Sequence, residues 1–260
     1  MLRSLAGGAL FGEAWGQAPA RVLALHGWAR SHGDFAGVVG PAAEGGVVDT
    51  VAPDLPGFGA TPPPPGAWGT AEYAEALLAL FEGPGGTAGD VRSPAVVLGH
   101  SFGGRVAVAL AAARPELVGA LVLTGVPLVP KPGGRRRPPA GYRAVRTLRR
   151  YGLVGEARLE TARQRYGSPD YRQAEGVMRE VLVRVVGERY EAALSALRCP
   201  VELVWADDDA EAPLAVAEAV AGMVPQARLS RCEGAGHLTP RTVPGALRAA
   251  VDRALALVPG

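Results

Sequence analysis

The stretch "VVLGHSFGGRVAVALAAARPEL" (residues 96–117) decides the fold. An apolar run ends abruptly at Gly99-His100-Ser101-Phe102-Gly103-Gly104, and an alanine-rich pattern of helical periodicity begins at once. A strand that turns directly into a helix leaves no loop, so the corner residue, Ser101, must take a strained backbone conformation. Gly99 and Gly103 remove side chains that would collide with the neighbouring strand and helix. The serine hydroxyl then stands clear of the sheet above a helix N-terminus. There the dipole and the free N–H groups favour a developing anion.

Outward from this corner, apolar strand runs alternate with amphipathic helices from Arg21 onward. That is the pattern of a mostly parallel sheet covered by helices on both faces. Strands are predicted at 22–26, 47–52, 95–99, 120–124, 201–205 and 227–232, and helices near 34–43, 70–82, 102–113, 213–223 and 242–258. The first twenty residues are expected to add a short antiparallel edge. The stretch "TPPPPGAWG" (61–69) reads as a stiff surface loop, since its four prolines cannot join a ladder.

The alternation breaks after Val126, where "PLVPKPGGRRRPPAGYR" is a loop rich in Pro, Gly and Arg. Helical segments follow near 142–151, 154–166, 170–186 and 188–197, and the sheet pattern resumes at Pro200. An insertion of this length between two sheet strands is most simply a helical cap over one end of the sheet. The expected division is therefore a core of residues 1–125 and 199–260 with a cap of 126–198. The cap carries sixteen basic and seven acidic side chains, hence +9, and the remainder −7 against the total of +2. A single lysine (Lys131), no isoleucine and no asparagine point to a GC-rich coding sequence, which inflates arginine without selection for anion binding.

Composition narrows the class. With 260 residues, 48% of them hydrophobic, the chain can bury a sizeable core. No run reaches the roughly 18 apolar residues of a membrane span. The N-terminal apolar stretch is short and broken by glutamate and tryptophan, so a cytoplasmic protein without a cleaved leader is expected. Cys199 and Cys232 flank different strand candidates at opposite ends, too far apart for a disulfide if those strands run parallel. They read as packed small apolar residues, not metal ligands. No aromatic-interleaved basic motif accompanies the arginines, so nucleic acid is not an expected partner.

A serine hydroxyl needs a neighbouring base. Of the four histidines, His100 is adjacent to Ser101 and points elsewhere, His26 ends a buried strand, and His32 lies in a polar loop and reads as solvated. His237, in "CEGAGHLTPRTVP" between the last strand and the last helix, is the best general base. The base needs a carboxylate to fix its tautomer. "VELVWADDDAEAP" offers Asp207, Asp208, Asp209 and Glu211 just past a strand, with two of the three consecutive aspartates expected to be merely solvated.

The ordered segments "LALHGW", "PDLPGFGAT", "LGHSFGG", "VWADDDAEAP" and "GAGH" resemble those of the α/β-hydrolase superfamily, over nearly all the chain except the cap. The resemblance implies an α/β-hydrolase fold and a capped serine hydrolase with the triad Ser101, Asp209 and His237. Asp209 follows from aligning the family's strand-G-x-x-D-x-x-x-P segment, with Asp208 the runner-up. It also implies an oxyanion hole from the backbone N–H groups of Trp28 and Phe102, whose rings would stand near the acyl pocket or simply pack in the core. Asp54 is expected to anchor its turn and not to act as a second catalytic acid. Serine, where related dehalogenases carry aspartate, implies acyl transfer to water through an acyl-enzyme, with no metal and no organic cofactor. The expected partner is a small acyl substrate; the basic cap would attract an anionic one, dock an acidic carrier protein, or be an ordinary solvated surface. A cofactor-free perhydrolase or haloperoxidase-like enzyme, a carbon–carbon bond hydrolase, and a non-catalytic ligand-binding protein on the same fold stay open as alternatives.

Overall fold

The structure is a computed structural model that describes residues 1–83, 89–131 and 139–259. Strands β1 (Arg3–Leu5) and β2 (Leu10–Trp15) form the expected antiparallel edge. β3 (Ala20–Leu25), β4 (Thr50–Asp54), β5 (Val91–His100), β6 (Val118–Thr124), β7 (Val201–Ala206) and β8 (Ala227–Cys232) run parallel. All eight belong to one sheet in the order β1-β2-β4-β3-β5-β6-β7-β8, with β2 antiparallel to β4.

Alternate residues of each strand point to opposite faces, and both faces are covered. Val22, Ala24, Val96, Leu98 and Val122 pack with Phe35 and with Leu247 and Val251 of helix α10 (Pro244–Leu257). Leu23, Leu25, Val97, Leu121 and Leu123 pack with residues of α1 (Thr70–Leu77), α2 (Phe102–Ala113) and α8 (Leu214–Met223). Burial on both sides explains why these strands read as continuous apolar runs and not as an alternation. The sheet order reverses at β3, with β4 on one side and β5 on the other. An open α/β sheet holds its ligand in the crevice above such a reversal, at the carboxyl ends of the strands. Ser101 leaves β5 there, and Trp28 follows β3 at the same end.

Among the described residues five helices lie between β6 and β7: α3 (Ala140–Arg150), α4 (Glu156–Tyr166), α5 (Pro169–Gln173), α6 (Gly176–Gly187) and α7 (Glu191–Ala196). The predicted helix over 170–186 is broken at Ala174–Glu175, before Gly176 at φ +51°. Ser168 caps α5 by accepting from the Tyr171 N–H. The arginine run 135–137 lies outside the described residues. Arg105 of α2 ties this segment to the core, donating to the carbonyls of Val185 (2.9 Å) and Pro127 (3.0 Å). Glu188 accepts from the Thr70 hydroxyl at the start of α1 and from the Tyr190 hydroxyl, both at 2.7 Å.

Two local expectations fail. The helix expected at 34–43 is a single 3-10 turn (His32–Phe35) followed by irregular turns. Gly37, Gly40 and Pro41 interrupt it, although Phe35, Val38 and Val39 are buried as the pattern required. The strand expected from Val47 starts at Thr50, with Val47 half exposed. β7 and β8 are parallel with Cys199 before one and Cys232 ending the other, and both thiols are free.

Candidate active site

Ser101 is the single residue between β5 and α2, at φ +50°, ψ −112°. Its surroundings explain why the positions two residues before and after it are glycine. A Cβ on Gly99 would sit 2.5 Å from the Gly104 Cα, and one on Gly103 would sit 2.1 Å from the Leu25 carbonyl oxygen. The corner is pinned on both sides: the Ser101 N–H donates to Thr124 O of β6 (3.0 Å), and the Gly103 N–H donates to His26 O just past β3 (3.0 Å). Those bonds fix a conformation that costs on the order of 1–3 kcal/mol by itself.

His237 lies in the loop between β8 and α9 (Thr239–Thr242). Its Nε2 is 3.1 Å from Ser101 Oγ and its Nδ1 is 2.8 Å from Asp209 Oδ2. A carboxylate only accepts, so Nδ1 carries the proton and Nε2 is left to accept from the serine hydroxyl. The second Asp209 oxygen, Oδ1, accepts the N–H groups of Glu211 and Ala212, each at 2.8 Å. Burial acts to raise the Asp209 pKa, but the His237 hydrogen bond and these N–H donors hold it below the ordinary value. For His237, burial acts to lower the pKa and is outweighed by the Asp209 hydrogen bond and charge, with Glu211 and Asp170 adding to the rise.

Asp207 and Asp208 are exposed, yet they are not merely solvated. Asp207 Oδ1 accepts from Gly234 N–H (3.0 Å) and Asp208 Oδ1 from Gly236 N–H (2.7 Å). The three consecutive acids therefore meet the "EGAGH" loop at successive points, two holding backbone and the third holding the imidazole. Asp208, the runner-up, is thus placed on the loop backbone and not on the ring.

Three further groups touch this arrangement without a motif to announce them. His100 is buried, and its Nε2–H donates to the carbonyl of His237 (2.9 Å). Gly125, at φ +59°, clears space: a Cβ there would lie 3.1 Å from His237 Cε1 and 3.3 Å from Asp209 Oδ2. Glu211, 69% exposed, places Oε2 3.4 Å from His237 Nε2. The positions beside a candidate nucleophile and just after a candidate acid are the only hints the sequence offers for His100 and Glu211.

The other histidines are structural. His26 accepts the Leu55 N–H at Nε2 (2.9 Å) and donates from Nδ1 to Gly27 O (2.7 Å), and burial pushes its pKa down to about 4. His32 is not solvated as expected: its Nδ1–H and backbone N–H both donate to Asp54 Oδ1, at 2.8 and 2.9 Å. Asp54 also accepts from Ala60 N–H (2.9 Å), so its oxygens are held by the turn around it.

The Trp28 N–H makes no hydrogen bond among the described residues. Phe102 opens α2, so its N–H has no intrahelical partner. The Trp28 ring packs edge-on against Phe58 (4.9 Å) and Phe102 (5.5 Å), and Phe102 against Tyr73 (5.0 Å). Phe102 is 4% exposed, so its ring is core, whereas Trp28 remains partly open. A cavity of about 400 Å³ adjoins it, walled by Trp28, Arg30 and Phe58 from the sheet side and by Ala174, Glu175 and Met178 from α5–α6. Among the described residues no helix is long and apolar enough to cross a membrane.

The sequence profile described as "Alpha/beta hydrolase family" matches residues 22–250. The chain is 32% identical over 244 residues to a pimeloyl-[acyl-carrier protein] methyl ester esterase of Aromatoleum aromaticum, covering 83% of this chain and 90% of that protein. It is 35% identical over 183 residues to Lipase LipV of Mycobacterium tuberculosis, covering 70% of this chain and 65% of that protein, just under two thirds of its length. A solved thermophilic esterase from Thermogutta terrifontis superposes with a TM-score of 0.68 at 22% identity, covering 98% of both chains, a likeness of fold.

Proposed function

The chain belongs to the alpha/beta hydrolase family, and from that premise we propose that it is a serine hydrolase cleaving an ester or related acyl bond through an acyl-enzyme. The observation that carries this reading is the unbroken hydrogen-bond line Asp209–His237–Ser101, with 2.8 and 3.1 Å links ending on a hydroxyl at a strained corner. Ser101 Oγ attacks the acyl carbon while its proton passes to His237 Nε2. Asp209 holds the ring in the required tautomer and stabilises the imidazolium. The backbone N–H groups of Trp28 and Phe102 take the oxyanion, a role supported by their lack of other partners. Collapse expels the alcohol, which leaves with the Nε2 proton. Water then attacks the acyl-enzyme, giving its proton to Nε2, and the second collapse returns that proton to Ser101 and frees the acid.

Residues 126–198 act in this reading as a cap. It is supported by the cavity wall, to which α5 and α6 contribute directly beside Trp28 and Phe58. One relative bears the name of a methyl ester esterase and another that of a lipase, and ester cleavage is what we carry over. Rapid mixing with a p-nitrophenyl ester tests the mechanism. A burst of one nitrophenol per protein followed by slower turnover is expected, and Ser101→Ala abolishes both. Linear release from the first instant that persists in Ser101→Ala would refute the acyl-enzyme.

A further inference from the structure

We propose that the corner between α3 and α4 is a docking surface for an anionic lipid membrane. The inference is independent of the proposed catalytic reading, because it concerns a surface that the triad does not use. Helix α3, "AGYRAVRTLRR", contains Arg143, Arg146, Arg149 and Arg150, no acidic residue and no buried residue. At 100° per residue Arg143, Arg146 and Arg150 fall on one side, and Val145 and Leu148 on the other, with Tyr151, just beyond the helix end, at the boundary next to Leu148. A helix paired with the core through its apolar stripe would bury that stripe. Here Val145 is half-buried beside α4, while Leu148 is 39% exposed.

The end of α3 is built to hold a fixed shape. Leu153 N–H donates to Leu148 O (2.9 Å) and Gly152 N–H to Arg149 O (3.0 Å), with Gly152 at φ +73°. Those two bonds form a Schellman cap, in which the first and last side chains of the motif, here Leu148 and Leu153, ordinarily shelter each other. Instead Tyr151 is 71% and Leu153 70% exposed. A backbone locked by two hydrogen bonds thus presents two leucines and a tyrosine to solvent at the end of a helix whose opposite side carries Arg143, Arg146 and Arg150, the two-faced arrangement of an interfacial helix. Arg149 is committed to Glu156 at 3.0 Å; Arg146 and Arg150 stand on either side of it in sequence.

Apolar side chains with adjacent arginines are the two signals that reversible membrane association requires together. The leucines and tyrosine enter the acyl boundary, and the arginines meet lipid phosphate. Acidity in a protein partner would match the arginines alone, whereas an anionic lipid surface matches the arginines with its phosphates and the exposed leucines with its acyl boundary, so the lipid surface is the favoured occupant.

Co-sedimentation of the whole protein with vesicles tests this. Binding is expected with phosphatidylglycerol mixed into phosphatidylcholine, at least tenfold weaker binding with phosphatidylcholine alone, and release at high salt. Arg146→Gln with Arg150→Gln is expected to weaken binding roughly thirty-fold. Tyr151→Ser with Leu153→Ser is expected to weaken it at least tenfold on the same vesicles. These positions are exposed, and an unchanged melting temperature confirms that the variants fold. Equal binding to both vesicle types, or binding that survives both double variants, overturns the proposal. So does capture of an acidic carrier protein by wild type, lost in the arginine variant, without vesicle binding.

Discussion

The imidazole of His100, the residue immediately before the candidate nucleophile, donates from Nε2 to the main-chain carbonyl of His237, the candidate base, at 2.9 Å. The ring is buried, and desolvation together with the nearby His237 pushes its pKa down to about 4, so it is neutral at physiological pH. Only the Nε2–H tautomer suits a carbonyl partner, which leaves Nδ1 buried without a hydrogen bond. Strand β5 therefore positions both ends of the Ser101–His237 pair: one residue carries the hydroxyl and the adjacent one holds the base loop.

His100→Ala is expected to lower kcat about tenfold or more with little change in KM, because the carbonyl loses its donor and the base loop loosens. A buried unsatisfied carbonyl costs roughly 1–3 kcal/mol, so the melting temperature should fall by several degrees as well. His100→Gln, which retains an N–H donor, should recover part of both. Steady-state kinetics and thermal melts read the two effects; an unchanged kcat in the alanine variant contradicts the positioning role.

The pH profile follows from His237. Its pKa is raised above the ordinary 6.5, and the ring must be neutral to accept the serine proton, so kcat/KM should rise with pH through a midpoint above 6.5. Asp209→Asn should move that midpoint down and cut kcat by about 10⁴-fold through loss of the tautomer. The same pair contributes to stability in two windows. The His237 share is complete below about pH 6.5 and is lost as pH rises through its raised value; the Asp209 share is complete above about pH 3.8 and is lost as pH falls through its lowered value.

Glu211 should act on the same profile more weakly. Its carboxylate faces His237 Nε2 at 3.4 Å, but it is 69% exposed and screened by solvent. Glu211→Gln is expected to lower the acidic midpoint by less than Asp209→Asn does. Added salt should shrink the difference from wild type. A midpoint indifferent to Glu211→Gln at low salt would remove Glu211 from the base's environment.

Gly103→Ala tests the corner. The added methyl would lie 2.1 Å from the Leu25 carbonyl, and backbone, not a movable side chain, is what it meets. Overpacking of this kind costs about 1–3 kcal/mol or more, so a lower melting temperature and loss of activity together are expected. Gly234→Ala, with nothing within 4 Å of the new methyl but φ at +59°, should cost only backbone strain of the order of 1 kcal/mol.

The sheet was legible because its signals are local. Val96 to Leu98 and Leu121 to Leu123 are continuous apolar runs ending at glycine or threonine, and each is the fully buried part of its strand. The 34–43 segment misled because its burial is real while its glycines and proline forbid the helix that periodicity suggests. At the site, the candidate roles of Ser101, Asp209 and His237 rest on residue type and order, which a sequence carries, and the structure brings the three side chains together. The parts it did not carry depend on distance in space. Nothing near Asp207 and Asp208 foretells that they hold Gly234 and Gly236 across the sheet end. Nor does the sequence around His32 show that Asp54, 22 residues on, takes its ring.

The most direct measurement is labelling with a fluorophosphonate followed by intact and peptide mass spectrometry, on wild type, Ser101→Ala and His237→Ala. One adduct per chain is expected on the Ser101 peptide of wild type and none on either variant. A folded wild type that stays unmodified, or an adduct that persists in Ser101→Ala, would contradict Ser101 as the nucleophile.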